Sequence, residues 1–336
     1  MNAMFEIDPD IRKARTLATE FYTDQRYFEA SREKIFARGW HFLGDAVIPG
    51  LKPVTLLPEF LDEPLLLVRT NDTVNCLSNV CTHRGKVLVE EPCTEANLIR
   101  CGYHGRRFSL DGKFLSMPEF EGVDNFPGES DNLTQIAAES FGGFVFASLD
   151  PAGELEEFTT GWPHSDPVPL KLTGTRQYEV NAHWALYCEN YLEGFHIPYV
   201  HKALNEVVDY GSYSTDLFRY SSVQTGSDAD GEIAAKYLFI FPNLMFNFYP
   251  WGISVNVVRP VSPSKTIAEF FTYVSDGSKL DIGAGADLHG VELEDEAVVE
   301  SVQRGIRSRF YSHGRFSPTR ETGTHHFHRL IAEFMA

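Results

Sequence analysis

Cys81-Thr-His83 and Cys101-Gly-Tyr-His104 each put one thiol and one imidazole on a short segment, seventeen residues apart. Two such pairs can converge on one metal centre. A structural zinc site usually joins like ligands, two cysteines on one turn and two histidines on another. One cysteine and one histidine on each half suits a [2Fe–2S] cluster instead, with two thiolates on one iron and two neutral imidazoles on the other. Imidazole in place of thiolate removes negative charge and raises the reduction potential. Gly85, Gly102 and Gly105 flank the ligands. They permit tight loops and let backbone N–H groups approach the sulfurs. Cys76, Cys93 and Cys188 fall outside the pattern and read as ordinary thiols.

A second group lies in Glu189-Asn-Tyr-Leu-Glu-Gly-Phe-His-Ile-Pro-Tyr-Val-His201. Asn190, Glu193 and His196 are spaced i, i+3, i+6, which on a helix is one face. Pro198 is expected to interrupt that helix and let the chain bring His201 back to the same point. Two imidazoles and a carboxylate on one side of an iron, with open positions opposite, are the facial set that activates O2. Glu292, Glu294, Asp295, Glu296 and Glu300 could supply the carboxylate. From Asp295 the helical stripe continues through Val299, Val302 and Ile306 and should face the core. From Glu296 it continues through Glu300, Gln303 and Arg307, a wet face. An acid heading a buried stripe needs a partner, and a metal supplies one. Asp295 is therefore favoured, with Glu294 second.

The elements that must carry these groups change texture along the chain. Residues 5–40 read as helical. From Gly44 to Pro151, short apolar runs (65–68, 98–100, 114–117, 143–149) are separated by turn residues, and Asp111-Gly112 is a hairpin signal. Pro151 to Pro169, with four prolines, reads as a linker. Beyond it, strands are predicted at 178–180, 237–248, 253–258 and 266–274, and helices at 184–195 and 293–310. Gly283, Gly285 and Gly290 mark a mobile loop before the last of these. The fold class is α+β: an all-β domain over 41–150, and a catalytic domain over 151–336 with a curved antiparallel sheet, onto which segment 1–40 packs.

With 336 residues and 43% hydrophobic content, two ordinary cores are affordable. A net charge of -18 makes nucleic acid a poor partner. No run is long and apolar enough to cross a membrane, and the N-terminal stretch lacks a signal region, so a cytoplasmic protein is expected. No G-x-G-x-x-G segment is present, so hydride from NAD(P)H must enter through another protein.

Taken together, these residues resemble the α-subunits of Rieske non-haem iron oxygenases over nearly the whole chain. C-x-H and C-x2-H hold the cluster in that family, matching Cys81, His83, Cys101 and His104. Its N-x2-[DE]-x2-H-x4-H segment matches Asn190, Glu193, His196 and His201, and its downstream aspartate matches Asp295. The resemblance implies a Rieske domain, a helix-grip catalytic domain with mononuclear Fe(II), and a head-to-tail homotrimer. It also implies a flavin/iron–sulfur reductase or ferredoxin partner. The acid at position 193 would bridge a cluster histidine, His104, to His196. Glutamate there, and Phe241-Pro-Asn-Leu-Met-Phe-Asn-Phe-Tyr-Pro-Trp-Gly252, are similar to the choline and carnitine monooxygenase branch. Arg106 is a departure, since many relatives carry tryptophan there.

Phe239, Phe241, Phe246, Phe248, Tyr249 and Trp251 are candidates to line a substrate pocket. Aromatic faces attract quaternary ammonium groups and also stack on aromatic rings. The reading favours hydroxylation or oxidative dealkylation of a quaternary or N-methylated amine over dioxygenation of an aromatic ring. A pure Rieske electron carrier would leave the second constellation idle.

Overall fold

The computed structural model describes residues 5–71, 73–163, 169–207, 209–228, 230–280 and 282–336. Its contacts divide the chain into a unit of residues 37–152 and a unit made of 1–36 and 153–336.

In the second of these units the N-terminal part carries only two short helices, α1 (Thr19–Thr23) and α2 (Gln25–Lys34). Residues 6–18 are mostly irregular, so the predicted helix is halved. Asp24 explains the break. It closes α1 and caps α2, its carboxylate accepting the Arg26 N–H.

The 37–152 unit is all-β. Its strands are β1 (His41–Asp45), β2 (Leu51–Leu56), β3 (Glu63–Thr70), β4 (Thr73–Ser78), β5 (Ile99–Arg100), β6 (Arg107–Phe108), β7 (Phe114–Ser116), β8 (Gln135–Phe141) and β9 (Phe144–Ser148). They form a six-stranded antiparallel sheet in the order β1-β9-β8-β4-β3-β2 and a small sheet β5-β6-β7. Leu65 to Val68 of β3 are wholly buried on both faces, which is why they read as a continuous apolar run. Gly112 takes φ +80° in the turn between β6 and β7. Cys81 and Cys101 belong to the same core as Leu66, Val68, Leu77 and Phe108.

The remaining elements are α3 (Leu155–Thr159), β10 (Lys171–Val180), α4 (Trp184–Tyr191), α5 (Ile197–Val200), α6 (Lys202–Val207), β11 (Ser214–Leu217), β12 (Ser221–Ser227), β13 (Ile233–Ile240), β14 (Leu244–Tyr249), β15 (Gly252–Ser262), β16 (Lys265–Val274), α7 (Leu288–Gly305) and α8 (Thr322–Met335). One seven-stranded antiparallel sheet runs β10-β16-β15-β14-β13-β12-β11. α4 packs on α7 and β15, and α7 also meets β10. α8 packs on α2 and β11, where the Lys34 ammonium donates to the Met335 carbonyl.

Several sequence expectations are corrected. The expected linker contains α3, which buries Leu155 and Phe158 three residues apart; residues 164–168 of that segment lie outside the described part. The single strand expected at 237–248 is two, β13 and β14, because Phe241-Pro-Asn243 turns the chain and Pro242 has no N–H to give a ladder. The last predicted helix starts at Leu288, so Gly290 lies inside it, and Gly283 to Gly285 form a 3-10 turn. α8, with ten buried residues over four turns, has no counterpart in the sequence reading. No described helix is long and apolar enough to cross a membrane.

Candidate metal centres

The two cysteine–histidine loops of the 37–152 unit share one backbone pattern. Cys81 N–H donates to the Lys86 carbonyl and Gly85 N–H returns to the Cys81 carbonyl; Cys101 N–H donates to Arg106 and Gly105 N–H returns to Cys101. Gly85 and Gly105 have φ +70° and +75°, the conformation that closes each loop. Gly102 has no positive φ, contrary to the role expected of it. Both thiols are free and buried, and each affects the other's ionisation. His83 Nδ1 and His104 Nδ1 lie 3.2 Å apart, with His83 half-buried and His104 exposed. Burial pushes the Cys101 thiol up, but N–H groups of Tyr103 and His104 outweigh it and hold the thiol low. Tyr103 N–H lies 3.5 Å from Cys101 Sγ. Two thiols inward, two imidazoles outward, and N–H groups aimed at sulfur fit a mixed-ligand [2Fe–2S] cluster.

The other constellation is built differently from its sequence reading. α4 ends at Tyr191, so Asn190, Glu193 and His196 do not share a helical face. Leu192 N–H closes the last turn onto Cys188 and Glu189, and Gly194 redirects the chain. Glu193 then stabilises the turn itself, its carboxylate accepting from Phe195 N–H and, at 3.1 Å, from His196 N–H. Pro198 does not interrupt a helix. It sits in the first turn of α5, where its missing N–H costs nothing, and α5 places His196 at one end and His201 at the other.

The result is a compact ligand set. His196, His201 and Asp295 each offer one atom within 4.8 Å of the others. Asp295 Oδ1 is 3.0 Å from His201 Nε2 and 3.5 Å from His196 Nε2. Both Nδ1 atoms are engaged by carboxylates, His196 by Glu193 and His201 by Glu294, each at 2.7 Å. An Nδ1–H held this way leaves the Nε2 lone pair for a metal. Glu294, the second candidate for the third ligand, therefore stands on the outer side of His201. Burial disfavours a charged His201, but Asp295 and Glu294 overcome it and raise its pKa. Three hard or borderline donors on one side of an open space fit Fe(II). The stripe that singled out Asp295 holds only in part. Val299 and Ile306 are buried, but Val302 is 42% exposed. Gln303, expected in water, is buried and accepts the His183 N–H at the start of α4.

A cavity of about 120 Å³ opens onto this set. Of the six aromatics expected to line it, only Tyr249 does; Phe239, Phe241, Phe246, Phe248 and Trp251 are core. Strand alternation selects instead Tyr237, Asn247, Tyr249, Ser254 and Asn256, joined by Asn190, Tyr191, Tyr213 and Phe270. Tyr191 donates to Asn247 at 2.8 Å. Among the described lining residues none is Lys or Arg. Glu292, one turn before Asp295, also faces the cavity. It is 5% exposed and takes hydrogen bonds of 2.8 and 2.7 Å from the Tyr187 hydroxyl. Burial raises its pKa to about 8 despite that hydrogen bond, which favours the protonated carboxyl. No sequence signal distinguished Glu292 from its acidic neighbours; only the fold turns it inward.

A mixed thiolate–imidazole set in one unit and a two-histidine, one-carboxylate set in the other fit the two iron centres of an oxygenase of the Rieske type. Residues 52–127 match the Rieske [2Fe-2S] domain, and residues 212–336 match the catalytic domain of the ring hydroxylating alpha subunit. The chain thus carries both domains found in Rieske non-haem iron oxygenases and is similar to them over nearly its whole length. It is 29% identical to choline monooxygenase of Arabidopsis thaliana, over 97% of this chain and 85% of that protein. It is equally 29% identical to the carnitine monooxygenase oxygenase subunit of Escherichia coli K12, over 96% and 94%. The quaternary ammonium Rieske monooxygenase CntA, solved with L-carnitine, superposes with a TM-score of 0.80 at 26% identity, covering 98% of this chain and 97% of that one. Naphthalene 1,2-dioxygenase shares the fold, with a TM-score of 0.74 at 19% identity over 96% and 92%.

The Glu292 carboxyl has a testable consequence. Its folded pKa of about 8 exceeds the usual 4.5, so the native state holds the proton more tightly than the unfolded chain does. Stability must fall as pH rises between those values. Chemical denaturation of the metal-free protein at pH 5 and pH 8.5 should show this loss, on the order of a few kcal/mol, in the wild type. In Glu292→Gln the loss should be smaller, because His201, whose pKa is also raised, still contributes in the same direction.

Proposed function

We propose that the chain is the oxygenase component of a multi-protein system and acts on a quaternary or N-methylated amine. One observation carries this reading: the cavity beside His196, His201 and Asp295 is walled by tyrosines, contains a buried carboxyl and has no Lys or Arg among its described lining residues. Tyr237 and Tyr249 stand nearly perpendicular with centroids 6.1 Å apart, and Tyr191 lies 6.4 Å from Tyr237. Such faces attract an ammonium by about 0.5–2 kcal/mol each, depending on desolvation. A bound cation also favours the ionised form of Glu292. The similarity to choline and carnitine monooxygenases supports the same substrate class.

Cys81, His83, Cys101 and His104 would hold the [2Fe–2S] cluster, and His196, His201 and Asp295 the Fe(II). When bound, these groups supply electrons and reduce O2. The chain's own residues do the rest. Glu193 and Glu294 fix the imidazole tautomers, Asn190 lines the approach from α4, and the tyrosines hold the amine with a C–H toward the iron position. One oxygen atom enters that C–H and the other leaves as water, with two electrons drawn from NAD(P)H through a separate reductase or ferredoxin. If the carbon lies on nitrogen, the hydroxylated product releases an aldehyde. Glu193 is read as the link between His196 and the cluster histidine His104 of a neighbouring subunit in a homotrimer. The assembly is placed in the cytoplasm.

The substrate reading is tested by single turnover. The iron-loaded protein is chemically reduced, mixed with O2 and a panel of quaternary amines and aromatic acids, and its products are followed by mass spectrometry. An aldehyde from an amine is the expected result; a hydroxylated ring would replace the amine reading with aromatic dioxygenation. Two substitutions separate the roles of the acids. Asp295→Asn should lose the mononuclear iron while keeping the cluster, and Glu294→Gln should keep both, as read by metal analysis and visible spectra. Glu193→Gln should retain both centres yet lower steady-state turnover at least tenfold. Unchanged turnover in it would exclude the bridge.

A further inference from the structure

Arg106 is the most deeply buried charged side chain near the cluster loops, 2% exposed. Its backbone carbonyl closes the second loop by accepting the Cys101 N–H. Its guanidinium pairs with the Asp131 carboxylate and reaches the Asp131 carbonyl at 3.4 Å. That same carbonyl accepts the Thr82 hydroxyl at 2.9 Å, and Thr82 sits between Cys81 and His83 of the first loop. Arg106 and Asp131 thus join the two loops that present all four ligands. Around the guanidinium stand three rings, Phe114 at 4.9 Å, Phe126 at 5.5 Å and Phe108 at 5.8 Å. Phe126 contacts Phe120, and Phe120 meets the His83 ring edge-on at 5.4 Å.

A cation in this position does two things. It latches the loops, and it adds a fixed positive charge in a place where water screens little. Reduction adds an electron to the cluster, so a nearby cation favours the reduced state and an anion disfavours it. Burying the guanidinium against a half-buried carboxylate also costs desolvation, which an apolar residue at position 106 would not incur. Retaining the pair is understandable if the charge itself is used.

We infer that the Arg106–Asp131 pair is a positioning and potential-setting device for the cluster, raising its reduction potential while tying the two ligand loops together. This rests on the cluster assignment and not on the substrate. The experiment is a spectroelectrochemical titration of the cluster in the intact iron-loaded protein, with iron and sulfide content measured alongside. Arg106→Met should lower the potential, because the carboxylate is left without its cation. Asp131→Asn should raise it, because the cation is left without its anion. Arg106→Lys should restore most of the wild-type value. The Arg106 shift should persist at high salt, since the guanidinium is buried. A purely structural latch predicts no opposed signs: equal potentials in the two variants, or shifts in the same direction, would overturn the inference. Should Arg106→Met fail to hold a cluster, Asp131→Asn decides alone, a rise supporting the device and no rise refuting it. Protein lacking acid-labile sulfide in the wild type would instead remove the cluster assignment.

Discussion

Two imidazoles are held ready to share one metal when each is fixed by its other nitrogen, and this arrangement organises the catalytic unit. His196 and His201 sit at opposite ends of a four-residue helix, and a glutamate engages the outer nitrogen of each. One glutamate is local, three residues from its histidine; the other comes from α7, across more than ninety residues of chain. α7 must therefore lie in register with α5. The sheet behind it enforces that register, because α7 packs between α4 and the edge strand β10. Asp295 reaches both Nε2 atoms, and Glu292 and Glu294 take inward and outward positions, from one helix turn. A slip of one residue in α7 would rotate these acids by about 100° and dismantle all three arrangements.

The 37–152 unit meets a similar demand with backbone alone. Each cysteine–histidine loop is closed by a reciprocal pair of main-chain hydrogen bonds and a glycine in the left-handed region. The thiols are anchored in the hydrophobic core while the imidazoles face outward. Depth separates the two ligand types: sulfur sits where N–H groups can reach it, and imidazole sits where electrons can be exchanged. Arg106 joins both loops through Asp131, at the position where the sequence departs from the family it resembles. Its ring-lined pocket is the reason so large a charged group fits.

The cavity illustrates how polar groups narrow chemistry. A hydrocarbon site needs no hydroxyls. This one is lined by tyrosines, asparagines and the Glu292 carboxyl, while Phe246 and Phe248 fill the core on the other face of β14. Strand alternation sorts β14 in this way without any special motif.

Short-range spacing made much of this legible in the amino-acid sequence. The mixed cysteine–histidine pairs, the density of ligand types between Asn190 and His201, and the β texture around the first set are local patterns set by ligand chemistry and turn residues. Even Asp295 was singled out by an apolar stripe that the fold honours only at Val299 and Ile306. What local pattern could not supply were facts decided by packing. α4 stops at Tyr191, and the Glu193 carboxylate takes up the N–H groups of Phe195 and His196 beyond it. The apparent strand through Pro242 is a hairpin because a proline cannot serve a ladder. Which of six aromatics face the substrate, which of five acids turns inward, and where Glu294 and Asp131 find their partners depend on contacts between residues distant in sequence. The kinds of ligand follow from the sequence by itself, since each metal accepts few donor types at few spacings. Their orientation, tautomers and charge states belong to the tertiary structure, because only packing decides which groups lose water and which partners they meet.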